Sequence, residues 1–246
     1  MRNPHTFKRV DEVHPRSHAK WLDRELGYKI PKIEVKLQQK YRAYYQSNDD
    51  SNKKQHYEGT QTWIGLHPQA LQTPYNDIFD ALDLLQEFDI EKVVDIGAGY
   101  GRVGLVMNSL YPMAKFIGYE ILKQRSMEAN RVFEKYNLVN CEIQLKNVLE
   151  DDFELPKAQV YFIYDFSEMM DICKILDVLV SRINDYNFFL ITKGDRVDYL
   201  LRKKYKQFWM ANGFLNSGEL KIYSSLVDLV EFKNRRKNGN RKSKVL

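Results

Sequence analysis

Three glycines and two acidic residues have the types and spacing of a ligand-binding loop. Asp95 ends an apolar segment, and Gly97, Gly99 and Gly101 follow it at alternate positions. Glycine lacks a Cβ atom, so this backbone can turn sharply and approach a ligand closely. The helix predicted to follow directs its free amide groups and positive dipole end into the same space. Glu120, nineteen residues beyond Gly101, ends the next apolar segment, where a carboxylate can accept hydrogen bonds from both hydroxyls of a ribose.

The loop fits two binding motifs that differ in the charge of their ligand. Residues 99–104 match the G-x-G-x-x-G pattern of dinucleotide sites. Residues 95–101 match the acidic, glycine-rich loop of enzymes that use S-adenosylmethionine. Asp95 would repel a pyrophosphate, whereas it would attract the sulfonium and amino groups of S-adenosylmethionine, directly or through water. The charge therefore favours S-adenosylmethionine over a nicotinamide dinucleotide.

The segment VVDIGAGYGRVG, followed by FIGYE, resembles motifs I and II of class I (seven-strand) methyltransferases. The resemblance covers about residues 73–232 and is most specific in motif I. It implies S-adenosylmethionine as the cofactor, with its methionine part at the glycine loop and its ribose at Glu120. Asn147 stands where the family often has an acidic residue that holds the adenine amino group. The cofactor-binding residues predicted in this way are Asp95, Gly97, Ala98, Gly99, Gly101, Glu120, Ile121, Asn147, Val148 and Asp165.

The fourth predicted strand ends in the sequence YDFS, where the family places residues that face the transferred methyl group. We predict Asp165, Phe166 and Tyr75 as catalytic residues, with Asp165 as the candidate base. The alternative for Asp165 is a structural role, in which its carboxylate caps the helix that follows. Trp63, His67 and Tyr75 precede the helix that would cover the site, as aromatic residues of a lid would. The alternative is that Trp63 and Tyr75 fill the core.

The sequence predicts the methyl acceptor less directly than the cofactor. The Thr-Pro-Tyr lead-in, the glycine loop and the Gly-Tyr-Glu ending are similar to seven-strand lysine methyltransferases, both the non-SET histone-lysine kind and the kind that acts on the ATP-synthase c subunit. This similarity implies a protein lysine nitrogen as the acceptor. The sequence lacks the Asn/Asp-Pro-Pro-Tyr/Phe motif of nucleobase amine methylation, a Pro-Cys nucleophile and a metal-binding cluster. Three alternatives stay open: a small-molecule methyltransferase, a non-catalytic interaction protein that keeps the cofactor fold, and a nicotinamide-dependent oxidoreductase.

Alternating strand and helix patterns must position these residues. The apolar segments of strand length are 92–96, 115–121, 142–145, 160–166 and 188–192. Apolar residues at helical spacing lie between them, and two last strands, 220–223 and 226–232, are predicted to form a hairpin. Such alternation indicates βαβ units, with ligands at the carboxyl ends of the strands. We therefore predict an α/β fold: a doubly wound, mostly parallel seven-stranded sheet with helices on both faces and a C-terminal antiparallel β-hairpin.

Charge divides the 246 residues into three parts. Residues 1–60 carry 13 Lys/Arg and 8 Asp/Glu, residues 61–232 carry 18 and 25, and residues 233–246 carry 7 and none. We predict a charged N-terminal arm or lid, an S-adenosylmethionine-binding methyltransferase domain and a basic disordered tail over these three ranges. The acidic domain argues against a broad nucleic-acid-binding face. The arm and the tail remain candidate contacts for nucleic acid or an acidic partner.

The remaining features predict a cytoplasmic protein. No segment has the length and apolarity of a membrane span, and the first residues carry charges without the apolar stretch of a secretory signal. Cys141 and Cys173 lack the spacing of metal ligands, and we expect them to be reduced, buried thiols.

Overall fold

The structure is a computed structural model that describes residues 4–47, 63–64 and 67–242. The helices in these ranges are α1 (Pro15–Leu26), α2 (Ile30–Ser47), α3 (Pro68–Leu71), α4 (Tyr75–Asp83), α5 (Arg102–Leu110), α6 (Lys123–Lys135), α7 (Met169–Ser181), α8 (Asp195–Lys203) and α9 (Leu229–Lys242). The strands are β1 (Lys92–Ile96), β2 (Lys115–Glu120), β3 (Cys141–Leu145), β4 (Val160–Tyr164), β5 (Phe189–Lys193), β6 (Leu215–Ser217) and β7 (Leu220–Ser224).

The strands form one seven-stranded sheet in the order β3-β2-β1-β4-β5-β7-β6. Strands β1 to β5 pair in parallel. Strand β7 runs antiparallel to both β5 and β6. This arrangement confirms the predicted doubly wound, mostly parallel sheet that ends in an antiparallel hairpin.

Helices cover both faces of the sheet, so the core has two apolar layers. Neighbouring residues of one strand point to opposite faces. Thus Val93 packs into the layer that holds Phe133 of α6, whereas Val94 packs into the layer that holds Leu176 of α7. The strand order reverses between β1 and β4, because β2 and β3 lie on one side of β1 and the other strands on the opposite side. In open α/β sheets, ligands bind beyond the carboxyl ends of strands at such a reversal.

One of the two strands predicted for the hairpin is present: β7 (Leu220–Ser224) matches the predicted strand 220–223. Strand β6 lies before β7, and the tight turn between them contains Gly218, whose φ is +58°. The second predicted strand, 226–232, is wrong, because helix α9 begins at Leu229. The Asp228 carboxylate accepts hydrogen bonds from the amides of Val230 and Glu231, both at 2.9 Å, and so caps this helix.

Helix α9 also includes most of the range 233–246, which the sequence predicted to be a disordered tail. It continues to Lys242, and residues 243–246 lie outside the described ranges. Phe232 is buried, and Arg236 donates hydrogen bonds to the carbonyl oxygens of Asp83 and Leu84 at 3.3 and 2.8 Å. Apolar burial and these bonds hold the first turns of the helix against the domain. The contact that the sequence predicts between the tail and a partner stays a prediction.

The N-terminal arm contains two helices, α1 and α2, that pack on the domain. Leu22, Leu26, Ile30 and Leu37 are buried on their inner sides. Helix α2 ends at Ser47, and residues 48–62, which follow it, lie outside the described ranges. None of the helices in the described ranges has both the length and the apolarity that crossing a bilayer requires.

Candidate functional site

A cleft of about 490 Å³ opens at the carboxyl ends of the parallel strands. Gly97 follows β1, Glu120 ends β2, Tyr164 ends β4 and Lys193 ends β5, and all four line the cleft. Adjacent strands are about 4.8 Å apart, so the cleft crosses the sheet over roughly 14 Å from β2 to β5. We call its two ends the β2 side and the β7 side.

The glycine loop gives the β2 side its room. Gly97, Gly99 and Gly101 have φ values of +78°, +56° and +72°, in the left-handed region that favours glycine. A Cβ atom built on Gly99 would have no other atom within 4 Å. A Cβ atom on Gly97 would lie 2.7 Å from Cβ of Phe166, and one on Gly101 would lie 2.7 Å from Cζ of Phe133. Gly99 therefore opens to the cleft, whereas Gly97 and Gly101 also permit close packing.

Glu120 ends β2 with its carboxylate fixed at the cleft wall. Oε2 accepts a hydrogen bond from the amide of Gly99 at 2.9 Å, and Oε1 accepts one from the amide of Leu122 at 2.8 Å. Burial raises the pKa of Glu120, while Arg125 and the two amides act in the opposite direction. Each carboxylate oxygen has a second lone pair, so Glu120 can still accept hydrogen bonds from a ligand.

Asp95 lies beneath the cleft rather than in its wall. The side chain is buried and is not among the residues that line the cleft. Burial, followed by the charge of Glu120, raises the pKa of Asp95 to about 8. At neutral pH this carboxyl group is therefore mostly protonated. Burial thus opposes the negative charge on which the sequence argument for the ligand relies, whereas a cation beside Asp95 would favour that charge.

The other predicted cofactor residues divide into two groups. Ile121, Asn147 and Val148 line the cleft on the β2 side. The side-chain oxygen of Asn147 accepts a hydrogen bond from the amide of Leu149 at 3.1 Å and so shapes the turn after β3. Ala98 and Gly101 do not line the cleft. They shape the loop, since the amide of Gly101 donates to the carbonyl of Ala98 at 2.9 Å.

Asp165 lines the cleft, but its carboxylate caps a helix. Its two oxygens accept hydrogen bonds from the amides of Arg196 and Val197, both at 2.9 Å, at the start of α8. Burial raises the pKa of Asp165, and these two bonds act against that rise. The structural alternative is thus correct in kind, although the capped helix is α8 and not the helix that follows Asp165 in the chain. Phe166 lines the cleft and packs on Gly97.

Tyr75 is wrongly predicted as a catalytic residue. Its side chain is fully buried, its hydroxyl donates to Oδ1 of Asp23 at 3.0 Å, and its ring lies 4.8 Å from the Arg102 guanidinium. It is a core residue beneath the arm. His67 caps α3 by accepting a hydrogen bond from the amide of Gln69, and it does not line the cleft. Trp63 does line the cleft, with the Arg196 guanidinium 4.9 Å from its ring.

The β7 side of the cleft contains charged residues that the sequence did not single out. Nζ of Lys193 lies 2.6 Å from Oε2 of Glu219 and 4.9 Å from the ring centre of Tyr164. Arg16, from α1, lies 3.2 Å from the other oxygen of Glu219. Burial lowers the pKa of Lys193, and its ion pair with Glu219 opposes this effect. The position of Lys193 at the end of the fifth strand was the one signal that pointed to this group.

Two buried ion pairs join the arm to the glycine loop and to the helices that follow β1 and β2. Asp23 of α1 pairs with Arg102 at 2.5 Å, and Glu34 of α2 pairs with Arg125 at 2.9 Å. Glu34 also accepts a hydrogen bond from the hydroxyl of Tyr100 at 2.7 Å. Both Tyr100 and Arg125 line the cleft. The arm therefore supports the cleft from outside, and Arg16 contributes to its wall directly.

In the described parts of the chain, no group of three or more His, Cys, Asp or Glu side chains has the geometry of a metal site. Cys141 and Cys173 are buried and form no disulfide. The residues around the cleft therefore offer carboxylates, cations, aromatic rings and backbone amides for binding.

The known proteins that the comparisons find are methyltransferases, and each alignment covers only part of this chain. No family model matches the chain. Over 95 residues the chain is 30% identical to ribosomal RNA small subunit methyltransferase G of Mycoplasmoides gallisepticum, an alignment that covers 39% of each protein. The chain thus matches well under half the length of this curated relative.

Among solved structures, an RNA methyltransferase from Salinibacter ruber in complex with S-adenosylhomocysteine is 13% identical, with a TM-score of 0.44 over 65% of this chain and 92% of that one. An S-adenosylmethionine-dependent methyltransferase from Aquifex aeolicus is 16% identical, with a TM-score of 0.43 over 64% and 93%. The O-methyltransferase NcsB1 from neocarzinostatin biosynthesis is 14% identical, with a TM-score of 0.46 over 61% and 54%.

The strand order decides the fold, together with a glycine loop after β1 and an acidic residue that ends β2. The chain has the seven-stranded, doubly wound α/β fold that its resemblance to class I methyltransferases implied. In this fold the cleft lies where the order of the parallel strands reverses, between the loops that follow β1 and β4. The position of the site that motifs I and II implied is therefore the position of the cleft.

Proposed function

We propose that this protein is an S-adenosylmethionine-dependent methyltransferase that transfers the methyl group directly to a nucleophilic acceptor. The observation that carries the proposal is the open space above Gly99, bounded by the Glu120 carboxylate. A Cβ atom would occupy that space, so the loop leaves room for a ligand beside its backbone at Gly99. A carboxylate that ends β2 can hold the ribose of either S-adenosylmethionine or a nicotinamide dinucleotide, and the binding test below distinguishes the two ligands.

The residues of the β2 side fit S-adenosylmethionine in type and position. Glu120 can accept hydrogen bonds from the two ribose hydroxyl groups, and the apolar side chains of Ile121 and Val148 can contact the adenine ring. Backbone of the glycine loop would hold the methionine part. When bound, this cofactor supplies a methyl group on a positively charged sulfur, which an acceptor lone pair displaces. The chain's own task is to orient the acceptor and to keep water out.

A protein lysine nitrogen, the acceptor implied by the sequence similarity, has weaker support than the cofactor. Both oxygens of the Asp165 carboxylate accept backbone hydrogen bonds, which makes this residue a poor base. On the β7 side the cations Arg16 and Lys193 lie with the carboxylates Glu219 and Asp195, so no net negative charge there attracts a lysine ammonium group. In favour of lysine, Trp63, Tyr164 and Phe166 give the cleft aromatic walls.

The first test is calorimetric titration of the full chain with S-adenosylhomocysteine and, separately, with NAD. We expect S-adenosylhomocysteine to bind and NAD not to bind. In Glu120→Ala the affinity for S-adenosylhomocysteine should fall at least tenfold. Glu134→Ala, which removes an exposed carboxylate from α6, is the matched control and should bind normally. Wild-type protein that binds NAD, or that binds S-adenosylhomocysteine equally well without Glu120, would contradict the proposal.

The acceptor requires a separate test with radiolabelled S-adenosylmethionine. Lysine-rich protein substrates and the same proteins with acetylated lysines would be offered side by side. Label that enters only the unmodified proteins would support a lysine acceptor. Label that enters neither, in a preparation that binds S-adenosylhomocysteine, would exclude the lysines offered while leaving the cofactor assignment intact.

A further inference from the structure

A second groove lies beside the cleft, along α8 and β7, and it is rich in aromatic rings. Its volume is about 460 Å³. Tyr199 and Phe214 are 52% and 42% exposed, so their rings remain available to a ligand. The ring of Phe214 lies 5.6 Å from that of Tyr223, with 33° between the ring planes. We call this surface the aromatic groove; its lining residues are Asp198, Tyr199, Arg202, Lys203, Trp209, Phe214, Lys221 and Tyr223.

The aromatic groove is positively charged in a domain that is otherwise acidic. Three cations line it, Arg202, Lys203 and Lys221, against a single carboxylate, Asp198. Asp198 forms ion pairs with both Arg202 and Lys221. Because one carboxylate faces three cations, the groove keeps a net positive charge. The surrounding segment 193–210 holds six Lys/Arg and two Asp/Glu, whereas the whole range 61–232 holds 18 and 25. The overall acidity of the domain therefore conceals a local basic surface.

The aromatic groove continues from the β7 side of the cleft. Along α8, Asp195 lines the cleft, and Asp198 and Arg202 line the groove. The rise of an α-helix places Arg202 about 10 Å from Asp195. Along the hairpin, Glu219 in the turn before β7 lines the cleft, and Lys221 of β7 lines the groove; two residues of chain span at most about 7 Å. An extended ligand can therefore occupy both at once.

We propose that the aromatic groove binds single-stranded nucleic acid, whose neighbouring nucleotide enters the cleft as the methyl acceptor. Exposed rings that bases can stack on, next to cations that neutralise phosphates, are the two components of single-strand recognition. An acidic peptide would use the cations but would leave the rings of Tyr199 and Phe214 without a matching partner. The placement of an acceptor in the cleft rests on the proposed function, whereas binding in the groove does not.

The test measures fluorescence anisotropy of a labelled 12-nucleotide single strand of mixed sequence, as RNA and as DNA, with the full chain. Stacking on one ring contributes about 1–3 kcal/mol, so Tyr199→Ala and Phe214→Ala should each weaken binding about tenfold. Lys203→Glu should weaken it as well and lower the dependence on salt concentration by about one ion. The matched controls are Met170→Ala and Lys36→Glu, which change exposed side chains of α7 and α2.

Melting temperature and S-adenosylhomocysteine affinity are measured for every variant. They should stay at wild-type values, which separates loss of the groove from loss of the fold or of the cofactor site. A glutamate-rich peptide of equal charge serves as competitor. The proposal is overturned if the oligonucleotides do not bind, if the ring variants bind as wild type does, or if the peptide competes as well as RNA and DNA. Oligonucleotide binding without S-adenosylhomocysteine binding would support the groove and contradict the proposed enzymatic function.

Discussion

Gly99 has no side chain, and a larger residue at this position would fill part of the cleft. A Val side chain there would enter the space in which we place the methionine part of the cofactor. The positive φ of residue 99 would also strain the backbone of a Val. We expect Gly99→Val to lose at least tenfold in S-adenosylhomocysteine affinity by calorimetry. Gly213→Val, at a φ of +66° in the turn before β6, is the control for a strained variant outside the cleft; its Cβ atom would also lie 2.7 Å from Cγ2 of the exposed Val230. Equal affinities in the two variants would show that the ligand lies elsewhere.

Asp95 makes stability depend on pH. Its pKa is raised to about 8 in the folded protein, against about 3.9 in an unfolded chain. Between these values the folded state holds a proton that the unfolded state releases, so the free energy of unfolding falls as the pH rises from about 4 to about 8.

Asp95→Asn removes this titration while it keeps the shape of the side chain. We expect its melting temperature to exceed that of wild type by a few degrees at pH 8, and by little at pH 4.5. Asp151→Asn changes an exposed residue and should show no such difference. A constant offset of Asp95→Asn at both pH values would mean that Asp95 is ionised when folded.

At the scale of elements, Asp165 ties the end of β4 to the start of α8. Removal of a cap typically costs about 0.5–2 kcal/mol, so Asp165→Ala should lower the free energy of unfolding in urea by about that amount. Asp185→Ala, in the exposed turn after α7, is the matched control. Turnover that falls while stability stays at the wild-type value would instead support Asp165 as a base.

The buried ion pairs between the arm and the domain should also contribute to the free energy of unfolding. Asp23→Ala would leave the Arg102 guanidinium buried with its strongest partner removed, a change that costs about 3–5 kcal/mol. Glu25→Ala, an exposed position on the same helix, should cost less than about 0.5 kcal/mol. Urea unfolding of both variants measures the difference. A small effect of Asp23→Ala would mean that α1 contributes little to the stability of the domain.

Periodicity and glycine spacing were sufficient to predict the parallel sheet, the cleft and Glu120, because these features depend on neighbours in sequence. The errors concern contacts between distant segments. Tyr75 meets Asp23 of α1, and Asp165 caps α8 thirty residues later; no local pattern reports either bond. The hydrophobic run 226–232 resembled a strand, and the Asp228 cap that makes it a helix was the local signal that the sequence analysis passed over.

At the scale of the whole molecule, hydrogen bonds and an ion pair join the arm to the domain beside the cleft. The hydroxyl of Tyr28 donates to the carbonyl of Tyr100 in the glycine loop at 2.8 Å, and Glu34 holds both Tyr100 and Arg125. A ligand that fixes this loop should therefore also reduce the motion of α2, since local opening of either element breaks the same bonds.

Hydrogen exchange with and without S-adenosylhomocysteine measures this coupling. We expect slower amide exchange over residues 97–105, and also over residues 30–40 of α2, which contribute only indirectly to the cleft. Helix α9 packs on the hairpin edge, at the opposite end of the sheet from β3, and serves as the internal reference. Glu34→Gln should weaken the effect in α2 more than in the glycine loop, because the loop would keep its direct contacts with the ligand. Protection confined to residues 97–105 would mean that the arm supports the fold without sensing the ligand.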